Sequence, residues 1–446
     1  MGSGSLFEFK RREVIVKFHI PGWPCGNKPE TTMSSELMNS VGAQMERISP
    51  DSLVDIIFHL NWKSSVAAHT EGYQASRVNI WRDCLPEALL KAMTGKQAGD
   101  TIELKFEAGD IIPVFDEKKS FTIKNRQYDR RFSEKNLSRP RIGRFYPKGL
   151  LRDIAGIYRA NVQPFRCVGL DNGQITVDFN HPMCGKELLL NAMVGKVDAK
   201  EIERGGSSVD LMEVLTTGPG MQSPWQENHT DFFSENAFTR DDLRPDTEFY
   251  SKPRFVQHLD DTALEVVRST YGRFLTDNME VLDLMSSWQS HLPSNLTYKA
   301  VTGIGLNQEE LIRNSQLSNY RLQDLNINTA LRFKSNSFDI VICTASIEYL
   351  IHPHAIFDEV SRVLRPNGYF IITFSNRWFS NKAIKIWKEL HEFERMGLVL
   401  EYFRCSENYK NLQTYSIRGL PRPRTDKYFP DLAFSDPIYA VWGQNR

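Results

Sequence analysis

Hydrophobic and polar positions follow two different patterns in the two halves of the chain. In the first half, residues alternate or run apolar over strand-length segments, at 14–20, 53–60, 101–106 and 174–179. These segments predict β-strands. Only residues 86–93 predict a clear helix, because they combine good helix formers with a proline at the start and Gly95 just beyond the end. Many strands around one short helix predict an α+β domain with an antiparallel sheet.

The second half alternates strands and helices. From about residue 248, β-branched runs without polar alternation predict buried parallel strands, at 281–284, 301–306, 338–343 and 369–374. A helix that opens at Pro353 lies between the last two strands. Such strand–helix–strand units predict a doubly wound, mostly parallel α/β sheet, closed by an antiparallel pair at 398–403 and 437–442. Sheets of this kind bind ligands at the carboxyl ends of their strands.

A polar segment joins the two halves. Residues 198–247 contain the glycine-rich runs 205–208 and 216–220, followed by a long polar stretch. Four aromatic residues interrupt that stretch and favour an ordered strap over a free tether: Trp225, Phe232, Phe233 and Phe238. We therefore predict a multidomain protein, with a strand-rich first half up to about residue 197, the strap at 198–247 and an α/β domain at 248–446.

The charge is balanced over the whole chain but not locally. The 446 residues include 55 Lys and Arg against 55 Asp and Glu, so a general polyanion or DNA binder is not expected. Residues 124–148 carry two acidic residues, Asp129 and Glu134, against nine basic ones: Lys124, Arg126, Arg130, Arg131, Lys135, Arg139, Arg141, Arg144 and Lys148. This basic segment predicts either a site for an acidic partner or a surface that pairs with acidic parts of the same chain.

Membrane and disulfide signals are weak. No segment holds the roughly 18–20 uninterrupted apolar residues that a membrane-spanning helix needs. The six cysteines are scattered without a CxxC pair, which argues against a disulfide framework and against a cysteine zinc site. A soluble, reduced protein of the cytoplasm is expected.

Three stretches of the second half resemble the class I S-adenosylmethionine-dependent methyltransferases. They are Leu-Asp-Leu at 282–284, the fourth strand with its loop at 338–350, and Val-Ser-Arg-Val-Leu-Arg-Pro-Asn-Gly-Tyr-Phe-Ile-Ile at 360–372. The resemblance spans about residues 250–445 and implies a Rossmann-like fold with S-adenosylmethionine as the cofactor. Methyl transfer depends on aligning the acceptor with the methyl group, and no metal is expected.

The loop after the first strand departs from the family pattern. The family reads acidic-x-Gly-x-Gly there, because the backbone must approach the cofactor closely. Here Asp283 is present, while Met285 and Ser287 stand at the two glycine positions. The resemblance implies that Asp283 faces the ammonium group of the cofactor and that the hydroxyls of Ser286 and Ser287 hold its carboxylate. The alternative is a domain that has lost its cofactor, in which Met285 and Ser287 fill the empty loop.

Further cofactor contacts are implied after three other strands. Asn307 follows the second strand, where the family has an acidic residue for the ribose hydroxyls. Asp324 follows the third strand region, and the resemblance implies that it meets the adenine amino group. Ser346, after the fourth strand, completes the predicted cofactor set.

Acceptor-side candidates precede the first strand or follow the altered loop. Residues 250–258 are predicted to form a lid helix that carries Tyr250, Arg254 and His258 over the pocket, and His291 follows the loop. A histidine with a pKa near neutrality suits deprotonation of a thiol, amine or hydroxyl acceptor. Catalytic roles are therefore predicted for these four residues.

Two stretches of the first half, 85–104 and 168–188, resemble the SlyD-like group of FKBP-type peptidyl-prolyl isomerases, which carry an inserted flap. The sequence Asn-His-Pro-x-x-Gly-Lys at 180–186 is the most specific part. The aromatic cleft of that family is not matched, since residues 109–115 lack its tyrosine and Phe-His-Leu-Asn-Trp at 58–62 replaces its first-strand residues. The resemblance implies a first core at 6–127 and 180–197 with an inserted flap at 128–179. We expect a non-catalytic module that serves binding or assembly.

The leading prediction for the whole chain is a methyltransferase that acts on a small-molecule acceptor, including a small thiol, with an FKBP-like accessory module. A second hypothesis is a protein methyltransferase, or an isomerase and chaperone, that acts on client polypeptides. A third is a catalytically inactive scaffold. A homo-oligomer is compatible with each of them.

Overall fold

The computed structural model describes residues 46–129, 139–199 and 206–446. The strand predicted at 14–20 lies outside these residues. The described part contains fifteen strands: β1 Ser52–Lys63, β2 Ala68–Asn79, β3 Thr101–Phe106, β4 Ser120–Lys124, β5 Phe145–Pro147, β6 Pro164–Asp171, β7 Gln174–Asp178, β8 Leu188–Ala199, β9 Glu280–Leu284, β10 Ala300–Gly305, β11 Asn319–Leu322, β12 Phe338–Thr344, β13 Leu364–Ser375, β14 Tyr409–Arg418 and β15 Ile438–Asn445.

The same residues form eight α-helices: α1 Glu87–Met93, α2 Leu211–Thr216, α3 Asp246–Phe249, α4 Asp261–Gly272, α5 Gln308–Arg313, α6 Pro353–Val363, α7 Lys385–Glu389 and α8 Arg395–Ser406. Short 3-10 turns lie at Glu117–Lys119, Asn125–Gln127, Lys148–Leu150, Trp225–Glu227, Ile347–Tyr349 and Glu392–Glu394. None of the described helices has the length and apolarity to cross a membrane.

Most predicted elements of the described part are confirmed. The strands predicted at 53–60, 101–106, 174–179, 281–284, 301–306, 338–343, 369–374 and 437–442 correspond to β1, β3, β7, β9, β10, β12, β13 and β15. The helix predicted at 86–93 is α1, and the helix predicted to open at Pro353 is α6.

The first half folds as an antiparallel sheet in the order β3-β8-β1-β2. Ile56 and Phe58 of β1 are completely buried, as are Leu89 and Met93 of α1, so the helix packs on this face of the sheet. Beyond α1, Gly95 adopts a φ of +78°, a conformation that glycine takes without strain. This is the antiparallel α+β arrangement that the sequence pattern predicts.

Strands β4 to β7 form a separate sheet in the order β4-β7-β6-β5. Its own core contains the buried side chains Tyr146, Leu150, Phe165 and Val177. The chain enters this sheet after β3 and leaves it before β8, so the sheet is an insertion into the first core. Its first strand already begins at Ser120, ahead of the predicted flap limit at residue 128.

The second half contains the predicted α/β sheet. Its strands lie in the order β11-β10-β9-β12-β13-β15-β14, and the first five are parallel. Strands β15 and β14 then pair antiparallel. Helix α6 buries Ile356, Phe357, Val360 and Val363, the apolar face that its sequence predicts. The prediction of a mostly parallel sheet is confirmed.

The amino-terminal sheet of β1, β2, β3 and β8 is continuous with the α/β sheet, which the sequence pattern does not predict. Strand β14 pairs in parallel with β2 from Gln413↔Ala68 to Arg418↔Tyr73, so that eleven strands form one mixed sheet. At this seam Glu71 is fully buried, and Arg418 Nε donates a hydrogen bond to it at 2.9 Å. The pairing covers an exposed strand edge on each side. The amino-terminal sheet is thus an extension of the α/β sheet.

One predicted strand is a helix. Residues 398–403 lie within α8, and the antiparallel partner of β15 is β14. Leu398, Val399, Leu400 and Tyr402 are all buried, because α8 is enclosed on most of its circumference. Such a helix shows no polar period, so a short window of it looks like a buried strand.

The predicted lid helix at 250–258 is also wrong. Helix α3 ends at Phe249, and the chain after it has no regular structure up to α4. Pro253 explains the difference, since proline lacks the N–H that a helix needs and disfavours a helical backbone at the preceding residue.

The strap packs on the α/β sheet through its aromatic residues. Phe232 is buried, and the ring centroids of Phe233 and Phe238 lie 6.0 and 6.4 Å from that of Tyr402 on α8. This agrees with an ordered strap.

Part of the basic flap segment is neutralised within the chain. Arg144 is 1% exposed and pairs with Glu394 at 3.3 Å, and Arg141 pairs with Asp231. Three other members, Lys124, Arg126 and Arg139, are exposed, while Arg130, Arg131 and Lys135 lie outside the described residues. Ion pairs within the chain therefore account for two of the six members that the structure describes, and an acidic partner for the exposed members stays a prediction.

Candidate active site

A cavity of about 180 Å³ lies at the carboxyl ends of β9, β10 and β12. This is the edge at which a doubly wound sheet binds its ligands. The lining includes all eleven site residues predicted from the sequence: Tyr250, Arg254, His258, Asp283, Met285, Ser286, Ser287, His291, Asn307, Asp324 and Ser346. The structure brings all of them together at one edge of the sheet.

Asp283 is a buried carboxyl group near the end of β9, and it is only 2% exposed. Ser286 Oγ donates to its Oδ2 at 2.6 Å, and Ser290 forms a second hydrogen bond. Burial raises the pKa of Asp283 to about 7, because it outweighs these two hydrogen bonds, which favour the ionised form. A cationic group beside this carboxyl would restore its charge.

The altered loop keeps a backbone shape that favours glycine. Met285 has a φ of +55°, which is uncommon for a residue with a side chain. Glycines of the neighbouring strand make room for the loop: a Cβ at Gly305 would collide with the Ser286 carbonyl oxygen, and one at Gly303 would lie 3.2 Å from Ser286 Cβ. Ser286 N in turn donates to the Ile304 carbonyl at 2.7 Å. The glycines that allow close packing here therefore lie in β10 and not in the loop.

Glu310 joins the altered loop to the opposite wall of the cavity. Its Oε2 accepts a hydrogen bond from Ser287 Oγ at 2.6 Å, and its Oε1 accepts one from Arg254 N at 2.7 Å. Glu310 is 7% exposed and lines the cavity. A second carboxylate is thus fixed beside the cofactor loop.

Asn307 acts as the cap of helix α5. Its Oδ1 accepts from Glu309 N and Glu310 N at 3.0 and 3.1 Å. Its Nδ2 donates to the carbonyls of Tyr250 and Ser251 at 2.9 and 3.2 Å. Because an amide has two N–H groups and two lone pairs on oxygen, this side chain is saturated. It leaves no donor or acceptor for the ribose contact predicted from the sequence.

Two buried polar atoms of the wall have no hydrogen-bond partner among the described residues, Asp324 Oδ2 and His291 Nδ1. Burial raises the pKa of Asp324, and the nearby charge of Asp246 adds to the rise. Burial lowers the pKa of His291 to about 4, helped by Arg268, so its imidazole is neutral. An unpaired buried polar atom costs about 1–3 kcal/mol, which a ligand can recover by pairing with it.

The chain after α3 forms the opposite wall. The Arg254 guanidinium carbon lies 4.4 Å from the ring centroid of Phe249 and 5.1 Å from that of Phe379. The His258 ring packs edge-to-face on Phe379 at 5.1 Å. Burial lowers the pKa of His258, with Arg254 adding to the effect, and burial raises the pKa of Tyr250. At neutral pH this wall therefore presents a neutral imidazole, a neutral phenol and a cationic guanidinium.

Sequence reasoning misses other parts of the wall, among them Trp288, Glu310, Thr344 and Phe379. Thr344 and Phe379 could have been predicted from the rule that ligands bind where parallel strands end. Thr344 is the last residue of β12, and Phe379 comes soon after the end of β13. Glu310 has no local signal that separates it from its exposed neighbour Glu309. Only the turn of α5 decides which carboxylate faces inward.

A group of potential metal ligands lies outside the cavity. His229 of the strap and Glu401 and Cys405 of α8 place donor atoms within 4.8 Å of one another. Arg404 Nη1 already donates to Glu401 Oε2 at 3.0 Å, and burial raises the pKa of Cys405 to about 11, which keeps the thiol protonated. These contacts describe an ion-pair cluster that fastens the strap to α8.

A comparison with protein families matches part of the chain. A family model described as a methyltransferase domain matches residues 287–372, which run from the altered loop into β13. A comparison with curated proteins finds no match.

Three solved structures with similarity to the chain each cover less than half of it. A proposed methyltransferase of Haloferax volcanii, in complex with the Trm112 methyltransferase activator, is 16% identical, with a TM-score of 0.31 over 45% of this chain and 92% of that chain. A SAM-dependent methyltransferase of Aquifex aeolicus is 16% identical, with a TM-score of 0.29 over 45% and 97% of the two chains. One of Mesorhizobium loti is 14% identical, with a TM-score of 0.28 over 42% and 99%.

The family match and the cavity fall on the same part of the fold. The matched residues include β10, β11, β12 and α6, and the cavity lies at the carboxyl ends of two of these strands. Residues 287–372 therefore match a methyltransferase domain.

Proposed function

We propose that this cavity binds S-adenosylmethionine together with a small-molecule acceptor and transfers the methyl group to that acceptor. The observation that carries the proposal is the pair of buried atoms without partners, Asp324 Oδ2 and His291 Nδ1, at the ligand-binding edge of the sheet. Buried polar atoms normally have hydrogen-bond partners, and exceptions call for an explanation. A ligand that pairs with them supplies one.

Three carboxyl groups form the proposed cofactor side. Asp283 receives the ammonium group, because a cation offsets the cost of burying its carboxylate. Asp324 Oδ2 is an acceptor without a donor and suits the adenine amino group. Glu310 takes the ribose hydroxyls in place of the saturated Asn307, since each of its oxygens keeps a second lone pair.

The acceptor side lies around His258. When bound, S-adenosylmethionine supplies an electrophilic methyl group on a sulfonium. His258 is neutral near pH 7 and can take the proton that the attacking atom of the acceptor loses, whether that atom is sulfur, nitrogen or oxygen. Phe379 and Tyr250 surround the acceptor with apolar surface, which excludes water from the transfer.

A bridge across the cavity supports a small acceptor over a polypeptide. Trp288 Nε1 donates to the Val256 carbonyl at 3.4 Å, and Gln257 donates to Gln289 Oε1. These contacts connect the altered loop to the chain after α3. A protein side chain would have to pass between them, whereas a small molecule, such as a small thiol, can be enclosed.

The amino-terminal half is proposed to be a non-catalytic accessory module. Its support is the continuous sheet, in which β2 covers the edge strand β14 of the methyltransferase domain. The role proposed for the module is to stabilise that edge, through the buried pair of Glu71 and Arg418.

The cofactor part of the proposal is tested by titration calorimetry with S-adenosylhomocysteine. Wild type is expected to bind it, and Asp324→Asn is expected to bind it about tenfold more weakly, the equivalent of one hydrogen bond. Asp261→Asn, an exposed position at the start of α4 outside the cavity lining, is the matched control. Absence of binding by wild type at millimolar ligand would refute the cofactor part.

The acceptor part is tested with labelled S-adenosylmethionine. The protein is incubated with cell lysate, and the label is then measured separately in the small-molecule and protein fractions. Label in the small-molecule fraction that is lost with His258→Ala supports the proposal. Label confined to the protein fraction would instead favour a protein methyltransferase.

A further inference from the structure

Arg254 is a cationic side chain in the cavity wall that forms no ion pair within the described part of the chain. Its recorded hydrogen bonds run from its backbone N to Glu310 Oε1 at 2.7 Å and from Nη2 to the Phe249 carbonyl at 3.2 Å. The remaining guanidinium N–H groups are available to a ligand, since an arginine carries five.

The guanidinium is held in place by aromatic rings. Its central carbon lies 4.4, 5.1 and 5.5 Å from the ring centroids of Phe249, Phe379 and Tyr250. Phe249 also packs edge-to-face on Phe379, at 5.7 Å between centroids. These rings fix the plane of the guanidinium before any ligand arrives, so little side-chain entropy remains to be lost on binding.

Carboxylates near this wall are already engaged. Asp246 accepts two hydrogen bonds from Arg240 Nη1, at 2.9 and 2.7 Å, and pairs with Lys382 at 3.0 Å. Glu310 accepts one hydrogen bond on each oxygen, as described above. Neither group forms an ion pair with Arg254.

A carboxylate that contacts the chain just after His258 is engaged in the same way, since Asp436 Oδ2 accepts from Asp260 N at 3.3 Å. Asp436 accepts from Arg377 Nε at 2.7 Å and from Arg422 Nη2 at 2.6 Å. The electrostatic surroundings of His258 are accordingly cationic. Arg254, Lys427 and Arg377 all act to lower its pKa, and Glu310 is the acid that acts against them. Arg377 is neutralised by Asp436, so Arg254 remains as a cation of this wall without an ion-pair partner among the described residues, and it favours a negatively charged ligand.

We propose that the methyl acceptor carries a carboxylate and that Arg254 receives it, an inference that rests on the proposed function of the cavity. A carboxylate matches the planar fork of a guanidinium in a way that a neutral group does not. His258 packs on the same Phe379 ring that flanks Arg254, so the proton-accepting group and the anion-binding group share one wall. The aromatic rings of that wall favour a flat acceptor.

The test compares two probes of equal shape and different charge. Benzoate and benzamide are titrated into the protein loaded with S-adenosylhomocysteine, by calorimetry. Benzoate is expected to bind at least tenfold more tightly than benzamide. Arg254→Gln should weaken benzoate about tenfold and leave benzamide unchanged, and Arg254→Lys should fall between wild type and the glutamine variant, because it keeps the charge without the planar fork.

Three measurements keep the test decisive. Arg273→Gln is the matched control, because Arg273 also stacks on a ring, at 4.3 Å from the centroid of Tyr415, but does not line the cavity. The affinity for S-adenosylhomocysteine, measured in every variant, shows whether the cavity is still folded. The probes are also titrated without S-adenosylhomocysteine, so that failure of the cofactor proposal is seen separately from failure of this one.

Equal affinity for benzoate and benzamide would overturn the inference. So would benzoate binding that survives Arg254→Gln in a variant that still binds S-adenosylhomocysteine. Lack of benzoate binding by wild type up to about 10 mM, where even a weak site is occupied, would overturn it as well.

Discussion

The raised pKa of Asp283 predicts that cofactor binding depends on pH through a single carboxyl group. The group must be ionised to receive an ammonium ion, and burial sets its pKa at about 7 in the free protein. At pH 6 about one tenth of the molecules then carry the charge, and at pH 5 about one hundredth do. The dissociation constant is therefore about tenfold larger at pH 6, and about a hundredfold larger at pH 5, than for the fully ionised protein. The dissociation constant for S-adenosylhomocysteine should therefore be about tenfold larger at pH 6 than at pH 8.

Asp283→Asn removes this dependence. The variant should bind S-adenosylhomocysteine more weakly than wild type at pH 8. Its dissociation constant should not show the rise between pH 8 and pH 5 that ionisation of Asp283 causes in wild type. Calorimetry in two buffers of different ionisation enthalpy should show about one proton released per ligand by wild type at pH 6, and fewer by the variant. Protons that the ligand itself gains or loses are the same for both proteins and cancel in the comparison. A wild-type affinity with the same pH profile as Asp283→Asn would refute the reasoning.

The same substitution makes an opposite prediction for stability. The folded pKa of Asp283 lies above its ordinary value of 3.8, so its contribution to stability is fully present below about pH 4 and is lost as the pH rises through about 7. The difference corresponds to an upper limit of about 4 kcal/mol. Asp283→Asn should therefore gain unfolding free energy relative to wild type between pH 4 and pH 8. A constant difference between the two proteins would contradict burial of the ionised group.

Three more predictions concern the loop, the adenine contact and the seam of the sheet. Gly305→Ala should lower the unfolding free energy by about 1–3 kcal/mol through overpacking and weaken S-adenosylhomocysteine binding, whereas Gly272→Ala, whose Cβ meets nothing closer than 3.4 Å, should do neither. Asp324→Asn should erase the preference for S-adenosylhomocysteine over its inosine analogue, and an unchanged preference in calorimetry would rule out the adenine contact. Arg418→Met should cost about 3–5 kcal/mol at pH 8, because it leaves the Glu71 carboxylate buried without a counter-charge. Burial raises the pKa of Glu71, so this loss should shrink at low pH, and adding Glu71→Gln should restore much of the stability in denaturant unfolding.

Sequence patterns predict this fold well where an element has one buried face. Strands such as β1 and β3 and the amphipathic helix α6 appear at the expected positions. Two failures share a cause, because the deciding interaction is distant in sequence, whereas the predicted lid helix at 250–258 fails for a local reason, Pro253. Helix α8 is buried on most sides, which only its tertiary surroundings explain. The pairing of β14 with β2 joins segments more than 300 residues apart, for example at Thr414 and His69, and no local signal marks it.

The candidate site shows the same division. Residues at strand ends, such as Asp283 and Asp324, could be placed in the cavity from topology alone. That Asn307 is used as a helix cap, and that Glu310 faces the cavity near it, could not be predicted. Both depend on which side chain caps α5 and which one turns inward. The three acceptor-side residues Tyr250, Arg254 and His258 line the cavity, although the helix expected to carry them is absent.

The altered cofactor loop argues against a domain that has merely decayed. Met285 holds a φ of +55° although it has a side chain, a conformation that costs on the order of 1 kcal/mol or more. A loop free of any ligand could relax such strain by a change of backbone conformation. Instead, Gly303 and Gly305 of the neighbouring strand leave the space that keeps Ser286 close to β10, and Asp283 remains buried where its charge is costly. Strained backbone and a destabilised carboxyl in one loop are typical of a binding site, where the ligand recovers the cost that the free protein bears.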